Sequence, residues 1–295
     1  MAINQNSKAN SNKDIYQSVT DRMVAALEAG TVPWQSPYLG AFGLPQNFVT
    51  RKAYRGINVW LLALAGYSSP FWMTYKQAQE LGGNVRKGEK GSLVVKYGTF
   101  ETEAENSGEK EQRMYLKGYT VFNACQIEGL EFPQPEIQPV PSDSCGEARM
   151  IVAGRPNRPA IKHGTSQAYY TPGTDVVSMP EMENMSSPEA YFSTLFHELT
   201  HSTGAPHRLN RKSLVENKGI HASKQTYAEE ELVAEMGASF LNALAGIFED
   251  QSENSAAYPA GWLKALKNPD AKSWIIRAAA QAQKAADFIV GVPQV

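Results

Sequence analysis

Apolar residues recur at helical spacing over residues 14–29, where Ile15, Val19, Met23, Ala26 and Leu27 share one face and Gly30 supplies a stop. A second helix is predicted over 56–65 and a short third over 74–81. Residues 93–97 and 115–124 alternate as half-buried strands do, and they flank an acidic stretch, 101–111, expected as a loop. Pro133, Pro135, Pro139 and Pro141 then crowd into 131–147, which suits neither a helix nor a central strand and predicts a linker. Beyond it, 167–170 and 175–179 predict a hairpin around Pro172 and Gly173. A helix is expected over 188–203, with Ser187 as N-cap, Pro188 at its first position and Gly204 past its end. Another is expected over 227–244, opened by Thr226 and Glu229 as a capping box, and a last over 269–290, from Asn268 to a stop at Gly291.

The pattern describes an α+β protein: a disordered tail (1–12), an α+β domain (13–130), the Pro-rich linker (131–147) and a second domain (148–295). With 295 residues, 42% of them hydrophobic and 20% charged, the chain has enough apolar surface for real cores, and wholesale disorder is excluded. The longest apolar run, 59–65, is far below the ~20 residues of a membrane span, and the first residues are polar, so no membrane partner and no classical secretion are expected. Cys125 and Cys145 are too few for a disulfide framework and too far apart for a metal motif, which fits a cytoplasmic setting.

Chemistry concentrates in one place. In His197-Glu198-Leu199-Thr200-His201 the two imidazoles lie four apart on a predicted helix, so both reach one face and can bind a single zinc, or another divalent ion, at about 2.0–2.1 Å. Glu198 projects beside that metal and is expected to act as general base on the attacking water. The third ligand is expected from the acidic start of the next helix. Glu231 is the choice, with Glu235 holding a histidine from behind and Glu229, the capping-box residue, in reserve; Ala234 and Ala238 on the same face would let the two helices approach closely. His163, His207, His221, Tyr170, Tyr227 and Arg208 are weaker candidates for proton donation or oxyanion support, and the hairpin before the metal helix has an edge suited to an extended peptide.

The net charge of −2 hides an imbalance: residues 1–130 carry +3 and residues 131–295 carry −5. Within 51–97 there are eight basic and two acidic residues, interleaved with seven aromatics, which suits single-stranded nucleic acid, whose bases stack on rings while phosphates meet cations. The nominated contacts are Arg51, Lys52, Tyr54, Arg55, Trp72, Tyr75 and Lys76, with Arg86, Lys87 and Lys90 in a glycine-rich turn. Trp60, inside an apolar run, is expected in the core.

The segments PWQSPY, PQNFVTRKAYRGINVWLL, WMTYKQAQELGGNVRKGEKGSLVV and YTVFNACQIEGL, with FHELTHSTGAPHRLNR and YAEEELVAE later, resemble the ArdC antirestriction family. The N-terminal domain of that family also resembles part of TraC-type plasmid primases. The resemblance spans about residues 13–290. It implies a single-stranded DNA-binding domain joined to a zincin-like metallopeptidase domain, acting on an unknown protein substrate while plasmid DNA escapes host restriction during conjugation. Glu231 and Ala234 match the Glu-x-x-Ala pattern of zincins with a glutamate ligand. Two other readings use the same residues: a DNA-protecting protein with a catalytically silent metal domain, and a regulatory peptidase that DNA activates.

Overall fold

Gly56 takes φ 58° and ψ −138°, a conformation side chains resist, and this sharp turn sends the chain straight from the basic segment into helix α2 (Ile57–Ala63). The computed structural model describes residues 6–35, 44–103, 110–133, 145–215, 224–247 and 273–293, with 263, 266 and 267. Helix α1 (Asn6–Glu28) starts earlier than the pattern suggested, so residues 6–12 of the expected disordered tail are helical. Helix α3 (Tyr75–Glu80) is closed by a capping box in which the Gln77 amide donates to Thr74 Oγ1 at 3.2 Å and the Thr74 amide donates to Gln77 Oε1 at 2.9 Å.

The N-terminal sheet has four strands: β1 (Gln46–Asn47), β2 (Phe71–Met73), β4 (Ser92–Glu103) and β5 (Lys110–Asn123), in the order β1-β2-β5-β4. A separate pair joins β3 (Asn84–Val85) to β6 (Ile127–Glu128). The β4–β5 ladder runs without interruption from Ser92↔Val121 to Glu103↔Lys110. The acidic stretch is therefore not a loop at both ends: 101–103 and 110–111 are paired strand, and 104–109 lie outside the described residues. No proline breaks either arm, so the backbone ladder continues past the sheet's apolar part.

The second half begins with α4 (Gly146–Gly154), after linker residues 134–144, which lie outside the described residues. Strands β7 (Ala160–His163), β8 (Tyr169–Thr171) and β9 (Val176–Met179) form a sheet ordered β7-β9-β8, with β8–β9 the expected antiparallel hairpin. β7, whose only large apolar residue is Ile161, is parallel to β9 and had no sequence signal of its own. Then follow α5 (Pro188–Thr203), α6 (Lys212–Val215), α7 (Lys224–Ala245) and α8 (Trp274–Ile289). Thr226 is the third residue of α7 and not the N-cap that the expected Thr226–Glu229 capping box needs; Lys224 and Gln225 are good helix formers and extend the helix backward.

One hydrophobic core runs through both halves. Met23 and Leu116 from the first half and Phe240, Ile275, Ala279 and Ala286 from the second belong to the same buried cluster. At its centre Trp60, fully buried, lies with its ring centroid 4.6 Å from Phe240 and 6.5 Å from Trp34. Arg55 pairs with Asp287, and the Gly56 amide donates to Gln283 Oε1 at 3.0 Å, so α8 is a wall shared by the two domains. Among the described residues no helix is long and apolar enough to cross a membrane, and both cysteines are free thiols.

Candidate metal centre

Helix α5 is fixed at its start by Ser187, whose Oγ accepts from the Ala190 amide at 3.0 Å, and by Pro188. Its last turn is buried, and its free carbonyls are met by arginines: Arg211 donates to Thr200 O at 3.0 Å and Arg208 to Ser202 O at 2.9 Å. His197 and His201 are thus held one turn apart on a rigid helix. α7 crosses α5 where a Cβ on Gly237 would overlap the side chain of Thr200, so the helices approach closely at Gly237, between the expected Ala234 and Ala238. This crossing swings Glu231 up to the two imidazoles.

His197 Nε2 and His201 Nε2 are 3.1 Å apart, and Glu231 sets Oε2 3.5 Å from the first and Oε1 3.5 Å from the second. Ligand atoms of a tetrahedral ion with bonds of 2.0–2.1 Å lie about 3.3 Å apart, and one atom from each of His197, His201 and Glu231 lies within 4.8 Å of the others, so the three can meet a single ion. The remaining ring nitrogens face carboxylates: His201 Nδ1 lies 3.2 Å from Glu230 Oε1 and His197 Nδ1 3.6 Å from Glu235 Oε1. Both Nε2 atoms are thereby turned inward. Glu198 is buried beside His197 and is no part of the three-ligand cluster.

The charges agree with a cation site. Burial works against a protonated His197, yet the hydrogen bond to Glu231 and the charges of Glu235 and Glu198 outweigh it and lift its pKa to about 9. Burial raises Glu235. Burial also opposes the Glu231 and Glu230 carboxylates, but His197 holds Glu231 below its ordinary range and Arg211 holds Glu230 at about 2.

Glu230, one of the acidic residues at the start of α7 that the sequence offered as a ligand, was given no role there. It is 2% exposed and accepts from Arg211 Nε at 2.9 Å, Arg211 Nη2 at 2.6 Å and Ser213 Oγ at 2.5 Å. Its neighbour Glu229 has no place in the metal cluster. The signal available was helical: a residue adjacent to Glu231 points about 100° away, toward the back of His201.

The weaker candidates have other partners. Arg208 donates to both oxygens of Asp175 at 2.7 Å, and the Tyr170 hydroxyl donates to Asp175 at 2.9 Å, so neither is free for an oxyanion. His207 Nε2 lies 3.4 Å from the same carboxylate, and His163 Nε2 lies 2.8 Å from the Tyr191 hydroxyl. His221 lies outside the described residues. Tyr227 alone of this group reaches the centre, hydrogen-bonding Glu231 from one turn earlier on α7 while its side chain stays open to solvent.

The ten nominated DNA contacts differ in how far they are free to meet a ligand. Trp72 must be withdrawn: it is 2% exposed, packed among Leu62, Val94 and Val121, because Leu62 of α2 and the Tyr67 ring, 5.6 Å away, close over that face of the sheet. Arg55 is held by Asp287, and Arg86 is paired with Glu89 at 2.7 Å. Arg51 lies over the Phe48 ring, 4.4 Å from its centroid, and Tyr54 is half-buried over the Leu62–Trp72 cluster. Lys52, Tyr75, Lys76, Lys87 and Lys90 are exposed. Trp60 is in the core, as expected.

The signature of the N-terminal domain of anti-restriction factor ArdC matches residues 13–122, and that of a zincin-like metallopeptidase matches residues 153–281. The uncharacterized protein y4eC of Sinorhizobium fredii (strain NBRC 101917 / NGR234) is 37% identical over 290 residues, spanning 94% of this chain and 91% of its own length. The chain belongs to the ArdC antirestriction family. The metal-free crystal structure of the antirestriction ArdC protein from plasmid R388 superposes with a TM-score of 0.75 at 43% identity, covering 94% of this chain and 96% of that one. The Mn(II)-bound structure of that protein gives 0.73 at 41% identity, covering 94% and 97%. A DNA primase TraC of Escherichia coli is 36% identical over 305 residues, which span 96% of this chain but 27% of the primase. The family's zincin-like domain implies a divalent metal, and the His197–His201–Glu231 triangle is the place that fits one.

Proposed function

We propose that this protein binds single-stranded DNA and carries a zinc peptidase domain, and that it acts in the cytoplasm to protect incoming plasmid DNA from host restriction during conjugation. The observation that carries the peptidase half is the triangle of His197, His201 and Glu231, with Glu198 beside it but outside the ligand set. Zinc, when bound, lowers the pKa of water to around 7 and polarises a carbonyl.

The chain's own groups supply the rest. Glu198 takes a proton from the attacking water and returns it to the departing amine nitrogen. Tyr227, at the open rim of the centre beside Glu231, is the candidate to support the carbonyl oxygen as it gains charge once its hydroxyl leaves Glu231. Strand β8, at the edge of its sheet, offers backbone groups to an extended peptide. The DNA half rests on the basic, aromatic-rich N-terminal domain and its likeness to a primase segment. A second reading, a peptidase that DNA activates, is favoured by α8, which touches both Gly56 and the core beneath the metal helix.

Metal analysis of the full chain, with digestion of fluorescein-labelled casein in the presence and absence of single-stranded DNA, tests these readings together. Glu198→Ala is expected to keep one metal per chain and lose casein cleavage. Wild-type protein that holds metal yet is indistinguishable from Glu198→Ala would leave the silent-domain reading standing. Cleavage that rises only with DNA selects the activated peptidase.

A further inference from the structure

The two faces of the β4–β5 hairpin are finished differently. Directly paired residues of antiparallel strands share a face, so Gly98/Tyr115, Lys96/Lys117, Val94/Tyr119 and Ser92/Val121 lie on one side. Tyr97/Leu116, Val95/Gly118 and Leu93/Thr120 lie on the other. The second side is roofed by α1: Ile15 stands against Gly118, and Val95 and Leu116 join the common core. Among the described residues the first side is covered only toward Val121, where Leu62, Trp72 and Val94 cluster under Tyr54 and Tyr67. Past that cluster it opens to solvent, with Tyr119 37% exposed and Lys96 and Lys117 exposed.

Lys96 and Lys117 stand directly opposite each other. Like charges in that position destabilise a sheet, and among the described residues neither has a carboxylate partner. An arrangement that costs stability in the free protein calls for a negative charge from outside. The flanking residues say which kind. Lys117 lies over the Tyr119 ring, 5.3 Å from its centroid, and the Tyr115 ring lies against Gly98, where any Cβ would collide with it. Two tyrosines four residues apart on one strand, about 13 Å, thus bracket a pair of lysines.

We propose that this outer face, built on Lys96, Lys117, Tyr115 and Tyr119, is the surface that binds single-stranded nucleic acid. The proposal rests on the DNA half of the function given above and assigns it an address that differs from the segment nominated by sequence. The phosphates of an unpaired strand meet the lysine pair while its bases stack on the tyrosines. A duplex brings the phosphates but keeps its base faces covered, so it uses only half of the site.

The test measures the anisotropy of fluorescein-labelled oligothymidylate with the full chain over a series of salt concentrations. Lys96→Gln/Lys117→Gln is expected to lower the slope of log affinity against log salt by about 0.7 per lost phosphate contact. The unfolding temperature should stay unchanged or rise. Tyr119→Leu is expected to weaken binding roughly 5- to 150-fold at every salt concentration, with the slope unchanged. An unaltered slope in the lysine pair with unaltered affinity in Tyr119→Leu overturns the proposal, as does a loss that follows Arg51→Gln/Lys76→Gln instead. Equal competition by a duplex of the same length removes the stacking role and overturns it too. If the wild-type chain binds no oligothymidylate at low salt, the DNA half of the function falls and takes this surface with it.

Discussion

At the metal centre, charges of opposite sign are packed together out of water. On the outer face of the β4–β5 hairpin, charges of the same sign stand side by side in it. Glu230 is enclosed by Arg211, Ser213 and His201, and every one of those contacts is internal. Lys96 and Lys117 face one another across a strand pair, and among the described residues neither has a carboxylate partner. The first arrangement orients side chains for an ion that three ligands must meet at fixed distances. The second keeps its charge available for a ligand that must come and go. A buried network is costly to break and a solvated pair is cheap, so the two regions should respond to substitution very differently.

Removing one member of the buried network is the harshest way to test that contrast. Arg211→Met fills similar volume but leaves the Glu230 carboxylate buried with no cation, and it is expected to destabilise the chain by about 3–5 kcal/mol in chemical unfolding. Lys96→Gln/Lys117→Gln should cost nothing. The same variant separates the regions by pH. Glu230 is held at about 2, below its ordinary 4.5, so it contributes stability above 4.5 that is lost as pH falls through about 2. Wild-type metal-free protein should therefore lose more stability across that acid window than Arg211→Met does. Parallel acid curves would show that Arg211 is not what holds the carboxylate ionised.

The helix crossing comes next in size. Gly237→Ala gains helix propensity but drives a methyl into Thr200, a residue buried between the two histidines. A net loss of about 1–3 kcal/mol is expected, together with weaker metal binding by titration calorimetry, because Glu231 moves with its helix. Unchanged metal affinity would mean that α7 can slide without moving its carboxylate.

These two sites also explain what the sequence could and could not tell. His197, Glu198 and His201 lie within one helical turn, so local periodicity alone places them together. Glu231 was narrowed to one acidic run on the next helix. Choosing between its members, and giving Glu230 its place behind His201, depends on how α7 is rotated at the Thr200–Gly237 contact, which no local pattern encodes. In the N-terminal half, Trp72 and Tyr119 are both aromatic residues in strands. They point to the same side of the sheet, and one is buried and one exposed because Leu62 of α2 closes over Trp72 and leaves Tyr119 in solvent, while the true length of β4 and β5 was hidden in a stretch whose acidity suggested a loop. The shared core was equally invisible: Trp60 and Phe240 are each plainly apolar, but nothing in a linear pattern pairs residues 180 positions apart.

The smallest effect is expected where the two regions join. Arg55 was nominated to meet phosphate, yet it pairs with Asp287 of α8. The side chain of Arg55 is 57% exposed, so solvent screens the pair and a coupling of no more than about 1 kcal/mol is expected from a double-mutant cycle of Arg55→Ala and Asp287→Ala in unfolding. The two single variants should differ, however. Arg55→Ala leaves Asp287 with the hydrogen bond that Gln283 donates at 3.1 Å, whereas Asp287→Ala leaves Arg55 to reach water. Both should be mild, because the domains are held by Trp60, Phe240 and the apolar face of α8 more than by charge. If oligothymidylate binding strengthens in Asp287→Ala and the gain vanishes when Arg55 is also replaced, then Arg55 is a phosphate contact that Asp287 masks in the free protein. The contrast between a closed metal centre and an open DNA face would then have to include a third place, one that opens only when α8 lets go.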